Sequence, residues 1–413
     1  MRVKLMKISR GDMRALLSVC AILVGLLGCE YQGPEAIWDP NQPLGEAPVI
    51  EQVVPPSRAA AGVNEIKLIG NNFSPDPAGN KVYIGGVEIP IKSASKSEIR
   101  VYRPTVVGDL LWIRVVVQGA AIMASHHPYR IDEVKFLVDA LEGGLSVAAL
   151  AVDKDENLYA LNAQRNVRMV TPNGDISTYA AIPTRIIPRN VTEMRMGPNG
   201  YMYLASNAAN LDRIVPGGGT VERFGSIPQS VQYFDFDENG NIFAGGPRGL
   251  FVVNSTGAAT AVGQYEGFEI KAVRVFAPYV YVAARNTGTN TVGIWKSRIE
   301  SASGNLGDKQ LFFDWAQAGD FAKVAISAMT IAEDGNVYVG TNDRTVTNPI
   351  LMISSDGSQS EALYSGILDP GAERMVWGTG NSLYVSRGFS GITTRRVLRI
   401  DMGKKGAPDY GRK

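Results

Sequence analysis

Met329–Val339 reads Met-Thr-Ile-Ala-Glu-Asp-Gly-Asn-Val-Tyr-Val and places an apolar strand, a polar turn and a second apolar strand within eleven residues. The pair Asp334-Gly335 suits the turn, because glycine adopts a positive φ without steric cost. After the turn, Val337 and Val339 alternate with Tyr338, which is the period-two pattern of a β-strand. The stretch therefore predicts a tight β-hairpin.

The same hairpin pattern occurs five more times along the chain. Each copy ends in a strand with an aromatic residue, and the intervals between successive aromatics are 44, 40, 38, 57 and 46 residues. A second, shorter hairpin follows each copy, so each unit supplies about four strands and no helix. The copies are Leu150–Ala160, Met194–Leu204, Phe234–Ala244, Val273–Val282, Met329–Val339 and Met375–Val385, with aromatics Tyr159, Tyr203, Phe243, Tyr281, Tyr338 and Tyr384.

Four-stranded units at this spacing are typical of β-propeller blades. An open β-solenoid is the structural alternative, but its coils are shorter than these units. The unit also resembles the NHL repeat and related six-bladed propellers, in which an apolar strand, Asp-x-x-Gly-Asn, an aromatic strand, a loop and Pro-x-Gly follow one another. This resemblance covers residues 133–403. It implies a six-bladed propeller, and enzymes and binding modules alike use this repeat.

Residues 1–28 are predicted to form a lipoprotein signal peptide. Five Lys or Arg residues precede the largely apolar stretch Ala15–Leu27, which is too short to span a bilayer. The segment ends Leu26-Leu27-Gly28-Cys29 and resembles a bacterial lipobox, which implies that Cys29 is acylated and becomes the mature N-terminus. The membrane is then a partner, since an acyl chain contributes about 0.8 kcal/mol per buried CH₂. The alternative is an unmodified cysteine in a signal peptide or N-terminal anchor.

The two cysteines agree with an exported, lipid-anchored protein. Cys20 is removed with the signal peptide and Cys29 is acylated, so the mature chain is expected to have neither a free thiol nor a disulfide. Residues 29–46 contain several Pro and Gly residues and are predicted to be a tether. The predicted location is the cell envelope, at the outer membrane, although Glu30 does not settle which membrane.

Residues 47–131 are predicted to form a small immunoglobulin-like β-sandwich, because short alternating strands are separated there by Gly, Asn and Pro. The order of Pro48–Pro55, Leu68–Phe73, Val82–Gly86 and Ile99–Pro104 resembles the IPT/TIG family. That resemblance implies a spacer or a site for partner proteins and glycans. His126 and His127 lie near the end of this region, and solvated strand residues are the favoured interpretation because no further His or Cys is available for a metal site.

Composition excludes several classes of function. With 45% hydrophobic and 20% charged residues, the chain has enough apolar residues to form hydrophobic cores. Its net charge of +1 provides no positive electrostatic field that would attract nucleic acid. There is no phosphate-binding glycine loop and no nucleophile elbow. Asp235–Gly240 matches half of a calcium loop, but Gly246 stands where the bidentate Glu is required, so a hairpin turn is predicted. The sequence predicts no cofactor.

An enzymatic alternative comes from resemblance to gluconolactonases, which hold a divalent metal in the propeller channel with Glu, Asn and Asp. Glu142 and Asn190 fall near the positions where that family has its Glu and Asn. The family's later Ser-Asn-Gly and Pro-Asp-Gly signatures are missing at 230–232 and 326–328. The enzyme question therefore stays open at this stage, and a metal-dependent hydrolase is the less favoured answer.

The loops that follow the aromatic strands carry the candidate binding residues. Five of these six loops contain an arginine, and guanidinium groups bind carboxylate or sulfate bidentately while asparagine amides suit hydroxyl groups. Local pairing of each arginine with a carboxylate or carbonyl is the structural alternative. The candidates are Arg165, Arg248, Arg285, Arg344, Arg387, Asn162, Asn207, Asn286 and Asn342.

Taken together, the sequence predicts an all-β protein with a small immunoglobulin-like β-sandwich followed by a six-bladed β-propeller at 133–403 and a C-terminal tail at 404–413. Its predicted function is lipid-anchored binding of a glycan or a cell-surface protein in the envelope, with protein-assembly scaffold as a further alternative. The strand at 134–138 has no blade of its own, and we expect it to pair with Val397–Ile400 and close the ring.

Overall fold

The computed structural model describes residues 44–59, 65–102, 106–131, 135–136, 147–343, 345–346, 348–363, 368, 370–387 and 397–412. Cys29 and the rest of the predicted signal peptide lie outside these ranges. Within them the chain is all-β, and its helical elements are short 3-10 turns. These turns are Pro77–Gly79, Pro188–Asn190, Pro198–Gly200, Gly263–Tyr265, Trp315–Gln317, Gly319–Lys323 and Tyr410–Arg412.

The first domain is an immunoglobulin-like β-sandwich, as predicted. Its strands are β1 (Val49–Val54), β2 (Arg58–Ala59), β3 (Glu65–Asn71), β4 (Asn80–Ile84), β5 (Val87–Ile89), β6 (Ile91–Ala94), β7 (Glu98–Tyr102), β8 (Gly108–Val117) and β9 (Ala124–Ile131). One sheet has the order β1-β3-β7-β6 and the other β2-β9-β8-β4-β5. Alternate residues such as Ile66, Leu68, Ile99, Val101 and Ile113 face inward and are fully buried, which is why the period-two pattern specifies this sandwich.

The second domain is a propeller of six four-stranded antiparallel sheets. We number its blades one to six in chain order. Their strands are β11 (Val147–Val152), β12 (Leu158–Asn162), β13 (Asn166–Val170) and β14 (Ile176–Ala181) in blade one; β15 (Glu193–Met196), β16 (Met202–Ala205), β17 (Leu211–Ile214) and β18 (Val221–Phe224) in blade two; β19 (Tyr233–Phe236), β20 (Ile242–Gly246), β21 (Gly249–Val253) and β22 (Ala259–Ala261) in blade three; β23 (Phe268–Phe276), β24 (Tyr279–Asn286), β25 (Val292–Arg298) and β26 (Gln310–Asp314) in blade four; β27 (Ile326–Ile331), β28 (Val337–Thr341), β29 (Ile350–Ile353) and β30 (Ser360–Ala362) in blade five; β31 (Arg374–Trp377), β32 (Ser382–Ser386), β33 (Val397–Asp401) and β10 (Lys135–Phe136) in blade six.

The repeated aromatic residues fill the spaces between neighbouring blades. All six are at most 4% exposed. Tyr203 packs edge-to-face against Phe236 of the next blade at 5.2 Å between ring centroids, and Tyr338 packs similarly against Trp377 at 6.0 Å. Each aromatic thus belongs to a core that two blades share, so a blade buries its apolar face only when its neighbour is present.

Blade six is closed by the strand that precedes blade one, as predicted. Lys135 pairs with Arg399 and Phe136 pairs with Leu398, so β10 is the outer strand beside β33. At the turns between first and second strands, Glu156 of blade one accepts hydrogen bonds from the backbone and hydroxyl of Thr379 and from the Tyr384 hydroxyl of blade six. The first and last blades are therefore joined by a sheet and by a carboxylate.

Candidate functional site

Two faces of the propeller can be distinguished from the strand order. Antiparallel strands reverse direction, so the connections between second and third strands share one face with the connections from blade to blade. We call this the loop face. The turns that join first to second and third to fourth strands share the opposite face, which we call the turn face. The predicted candidates in the described residues belong to the second-to-third strand connections, and they therefore lie on the loop face.

Two of the predicted arginines are held by backbone carbonyl groups of a neighbouring connection. The Arg165 guanidinium donates to the carbonyl oxygens of Pro183 at 3.0 Å and Ile186 at 2.5 Å. Arg387 is 8% exposed and donates to the carbonyl of Pro370 at 3.2 Å. Both side chains donate to backbone carbonyls of the neighbouring connection. This is the local pairing that the sequence analysis gave as the alternative to ligand binding.

Two other arginines are more accessible. Arg285 keeps 45% of its side chain exposed while its Nε and Nη2 lie 3.0 and 2.9 Å from the Glu269 carboxylate, which Lys271 also contacts at 2.6 Å. The hydrogen bond and positive charge of Lys271, together with those of Arg285, lower the pKa of Glu269. Arg248 is exposed and has no hydrogen-bond or ion-pair partner among the residues that the structure describes. Arg344 lies outside the described residues.

The predicted asparagines divide in the same way. The Asn162 side chain accepts from the backbone N–H of Asn166 at 3.0 Å, and the Asn286 side chain accepts from two N–H groups of its own loop. These amides shape turns. Asn207 is exposed, with φ of 55°, and Asn342 is half-buried.

The channel along the propeller axis holds charged residues that the sequence analysis missed. Each repeated aromatic lies on the second strand of its blade and is paired, across the sheet, with one residue of the first strand. At this position blade two has Arg195, blade three Asp235 and blade four Arg274, whereas the other blades have Ala151, Thr330 and Val376. The signal was available, because a charge at one fixed position of otherwise apolar inner strands appears when the six repeats are aligned.

These axial charges form a compact network with Glu193. Arg274 binds the Glu193 carboxylate through both terminal nitrogens at 3.0 and 3.2 Å, while Arg195 lies 3.4 Å from Glu193 and 3.3 Å from Asp235. Burial lowers the pKa of Arg274, and neighbouring Arg195 lowers it further. Burial also opposes the charge of Arg195, but the carboxylates of Asp235 and Glu193 outweigh that effect and raise its pKa.

The C-terminal segment, residues 403–412, completes this network from the turn face. Asp409 lies 3.0 Å from Arg412 and 3.9 Å from Arg195, and Arg412 donates to the carbonyl of Gly378 at 3.2 Å. Three arginines then face three carboxylates, which is the balance that buried charges need. Burial raises the pKa of Asp409, while Arg412 acts in the opposite direction.

The segment also contacts several blades through its backbone and Tyr410. Ala407 donates to the carbonyl of Ile331 at 2.9 Å, the Lys405 N–H donates to the Glu333 carboxylate at 3.0 Å, and the Tyr410 hydroxyl donates to the carbonyl of Glu238 at 2.9 Å. The sequence analysis assigned these residues to a tail beyond the propeller. They instead pack across the end of the channel at the turn face, because the axial arginines and backbone groups there provide partners.

At the loop face the channel opens through a narrow cavity that has room for about one water molecule and is lined by residues from all six blades. Its polar lining includes Thr192, Tyr233, Ser327, Arg274 and Arg374, which lie in or beside the inner strands. Burial raises the pKa of Tyr233, so this phenol stays protonated and is a hydrogen-bond donor at neutral pH. The Thr192 and Ser327 hydroxyls and the two guanidinium groups are bonded to acceptors of the protein itself. Among these five side chains, Tyr233 is the one with no hydrogen-bond partner among the described residues.

The channel residues do not fit the divalent metal of a gluconolactonase. No group of three or more His, Cys, Asp or Glu side chains comes together among the described residues. Arg195 and Arg274 stand at the axis, where their positive charges oppose a cation. Asn190 ends a 3-10 turn, and Glu142 lies outside the described ranges.

Two other sequence features have structural explanations. The Asp237 carboxylate accepts from the N–H groups of Asn239 and Asn241 at 2.9 and 2.8 Å, which confirms a hairpin turn in place of a calcium loop. His127 stacks on Trp112 of the sandwich at 4.1 Å between ring centroids. This stacking gives His127 an ordinary packing role on the sheet surface.

The class defined by this geometry is an immunoglobulin-like sandwich joined to a six-bladed propeller with one closed and one open channel end. Residues 48–131 match the IPT/TIG domain family. No curated protein matches the sequence. No helix among the described residues has the length and apolar character to cross a membrane.

Solved structures similar to this chain come from several bacteria. An auxiliary nutrient binding protein from Bacteroides thetaiotaomicron has 14% identity and a TM-score of 0.48, covering 88% of this chain and 98% of its own. One from Bacteroides ovatus has 13% identity and a TM-score of 0.46, covering 86% and 98%. A gluconolactonase from Xanthomonas campestris has 10% identity and a TM-score of 0.46, covering 71% and 90%. These values are too low to transfer a function.

Proposed function

We propose that this protein is a lipid-anchored cell-envelope receptor whose propeller binds a glycan at the loop face, with the sandwich as a spacer. The signal-peptide pattern and the Leu-Leu-Gly-Cys29 ending support the anchor. Residues 29–46 supply a tether that gives the folded domains reach from the membrane.

The observation that carries the proposal is the asymmetry of the channel. The C-terminal segment occupies the turn-face end, and a balanced set of buried charges fills the axis behind it. At the loop-face mouth, residues from all six blades surround one narrow cavity, and five of the blades supply polar side chains. A ligand on the propeller axis therefore meets hydrogen-bonding groups at the loop face and a packed protein segment at the other.

The chemistry of the loop face suits a sugar polymer. The phenol of Tyr233 and the exposed amide of Asn207 offer hydrogen bonds to sugar hydroxyls. Arg248 and the exposed part of Arg285 add positive charge around the mouth, which favours a carboxylated or sulfated glycan. Arg344 belongs to the proposed binding set on sequence grounds.

A polysaccharide array tests the proposal. The mature protein, immobilised through its N-terminus, is incubated with neutral, uronic-acid-containing and sulfated polysaccharides at 0.05 and 0.5 M NaCl. We expect binding to acidic polysaccharides that weakens at high salt, since the Debye length falls from more than 10 Å to a few ångströms over that range. Binding to no polysaccharide at either salt concentration contradicts the proposal and favours a protein partner.

A further inference from the structure

A second concave site lies on the turn face, between blades one and two and far from the residues proposed above. It is a groove of about 600 Å³ lined by Tyr159, Tyr179, Met169, Met196 and Tyr410 together with polar residues of the neighbouring turns. This volume is within the range of small-molecule sites and leaves room for more than one sugar ring. We call it the tyrosine groove.

The three tyrosine rings are fixed by their hydroxyl groups. The Tyr159 hydroxyl donates to the Asp153 carboxylate at 2.8 Å, and the Tyr410 hydroxyl is held by blade three as described above. The Tyr179 hydroxyl lies 3.4 Å from the carbonyl of Val215, and its ring packs edge-to-face on Tyr159 at 4.8 Å between centroids. Tyr159 is buried, so a ligand stacks on the half-buried rings of Tyr179 and Tyr410. Rings that are already immobile lose little entropy when a ligand stacks on them.

Polar groups beside the rings remain available. Within the described part of the chain, the side chains of Ser177 and Asn199 are exposed and have no hydrogen-bond partner. Asp155 and Lys154 are exposed at the rim, and Asp153 lies deeper. The groove thus contains one more carboxylate than ammonium groups, which disfavours an anionic ligand.

The geometry points to the tyrosine groove as a binding site for neutral pyranose units of an oligosaccharide. The apolar C–H face of a pyranose packs on a tyrosine ring, while its hydroxyls bond to Ser177, Asn199 and the Asp155 carboxylate. Tyr410 forms one wall, so the C-terminal segment both closes the channel and completes this groove. The inference does not depend on the loop-face site.

Calorimetric titration of the mature protein with neutral hexasaccharides of glucose, mannose, galactose and xylose tests the site. We expect at least one to bind, Tyr179→Ala to weaken that binding about tenfold, and Tyr179→Phe to preserve it because the ring remains. Asn199→Gly removes the amide while glycine tolerates the local φ of 58°, and it should weaken binding without affecting the fold. A single cooperative thermal transition in each variant shows that it is folded.

The matched control is Tyr279→Ala, which changes a half-buried tyrosine in blade four, outside the groove. The inference is wrong if none of the four sugars binds, if Tyr279→Ala weakens binding as much as Tyr179→Ala, or if Asn199→Gly and Tyr179→Ala bind as tightly as the parent. Hexamers of uronic acid should not bind here. If Arg248→Ala abolishes binding while the groove variants bind like the parent, the sugar binds at the loop face. That result refutes the groove site and leaves the loop-face proposal standing.

Discussion

Glu156 is expected to be a principal contact between the first and last blades. Its carboxylate lies in the first turn of blade one and accepts hydrogen bonds from Thr379 and Tyr384 of blade six, the latter at 2.9 Å. A Cβ at Gly378 would lie 2.0 Å from a Glu156 carboxylate oxygen, so glycine is required for this close approach. The perturbation that isolates the charge is Glu156→Gln, which keeps the size of the side chain.

The magnitude follows from the three donors. Hydrogen bonds to a charged group contribute about 1.5–3 kcal/mol, against about 0.5–1.5 kcal/mol for neutral pairs. The NH₂ group of the glutamine amide is itself a donor, so in the variant it faces one of the donors that the carboxylate oxygen accepts from in the parent. Because the side chain is partly exposed, we expect Glu156→Gln to lower the free energy of unfolding by about 2 kcal/mol, measured by urea denaturation at pH 7.

The effect has a defined pH dependence. Burial opposes ionisation of Glu156, but hydrogen bonds from Thr379, Tyr384 and Gly380 outweigh it and lower the pKa below its ordinary value of 4.5. A carboxyl with a lowered pKa stabilises the fold above its unfolded pKa and loses this contribution as the pH falls through its folded pKa. The difference between parent and variant should therefore be full at pH 7 and shrink below about pH 4.5.

Glu266→Gln serves as the control, because Glu266 is exposed and has no side-chain partner among the described residues. Its free energy of unfolding should stay within about 0.5 kcal/mol of the parent at pH 7. If Glu156→Gln matches that control at pH 7, or if its deficit grows as the pH is lowered, the carboxylate does not join the blades as described.

Three further predictions concern the ring, the channel and the anchor. Tyr203→Ala should cost about 3–5 kcal/mol of unfolding free energy, since it empties a core shared by two blades; a cost below 1 kcal/mol in urea denaturation contradicts that packing. Gly406→Ala should release the C-terminal segment, seen as faster amide exchange at Ala407 and Tyr410, because a Cβ there lies 2.2 Å from Trp377; unchanged exchange refutes it. Cys29→Ser should abolish acylation and membrane fractionation, and mass spectrometry showing an intact Met1 or an unmodified Cys29 in the parent rejects the anchor.

The repeat explains why so much of the fold was predictable. Each hairpin turn and each strand pattern is local, and six copies of Tyr or Phe at one position fix the blade and the period. The pairing of Lys135 and Phe136 with β33 was also predicted, because a sheet edge without a partner needs one. In the sandwich, the short strands β2, β5 and β6 lack a clear alternating pattern and were not identified.

The position of the C-terminal segment could not be predicted in the same way. Residues 403–412 have no strand pattern, and their position depends on Arg195 and Asp235, which are far away in the sequence. The loop-face arginines were found by position, but their pairing with Pro183, Ile186 and Pro370 depends on where the next connection passes. The tyrosine groove was missed because its rings come from two strands of blade one and from the distant C-terminal segment.

The most direct test of glycan binding at the loop face is calorimetric titration of the parent, Arg248→Ala/Arg344→Ala and Arg223→Ala/Arg298→Ala with the acidic polysaccharide that binds best on the array. Arg223 and Arg298 are exposed on strands β18 and β25, outside the second-to-third strand connections that carry the candidate residues. We expect the first double variant to bind at least tenfold more weakly, with unchanged thermal stability, and the second to bind like the parent. Equal affinity of Arg248→Ala/Arg344→Ala and the parent would contradict the account.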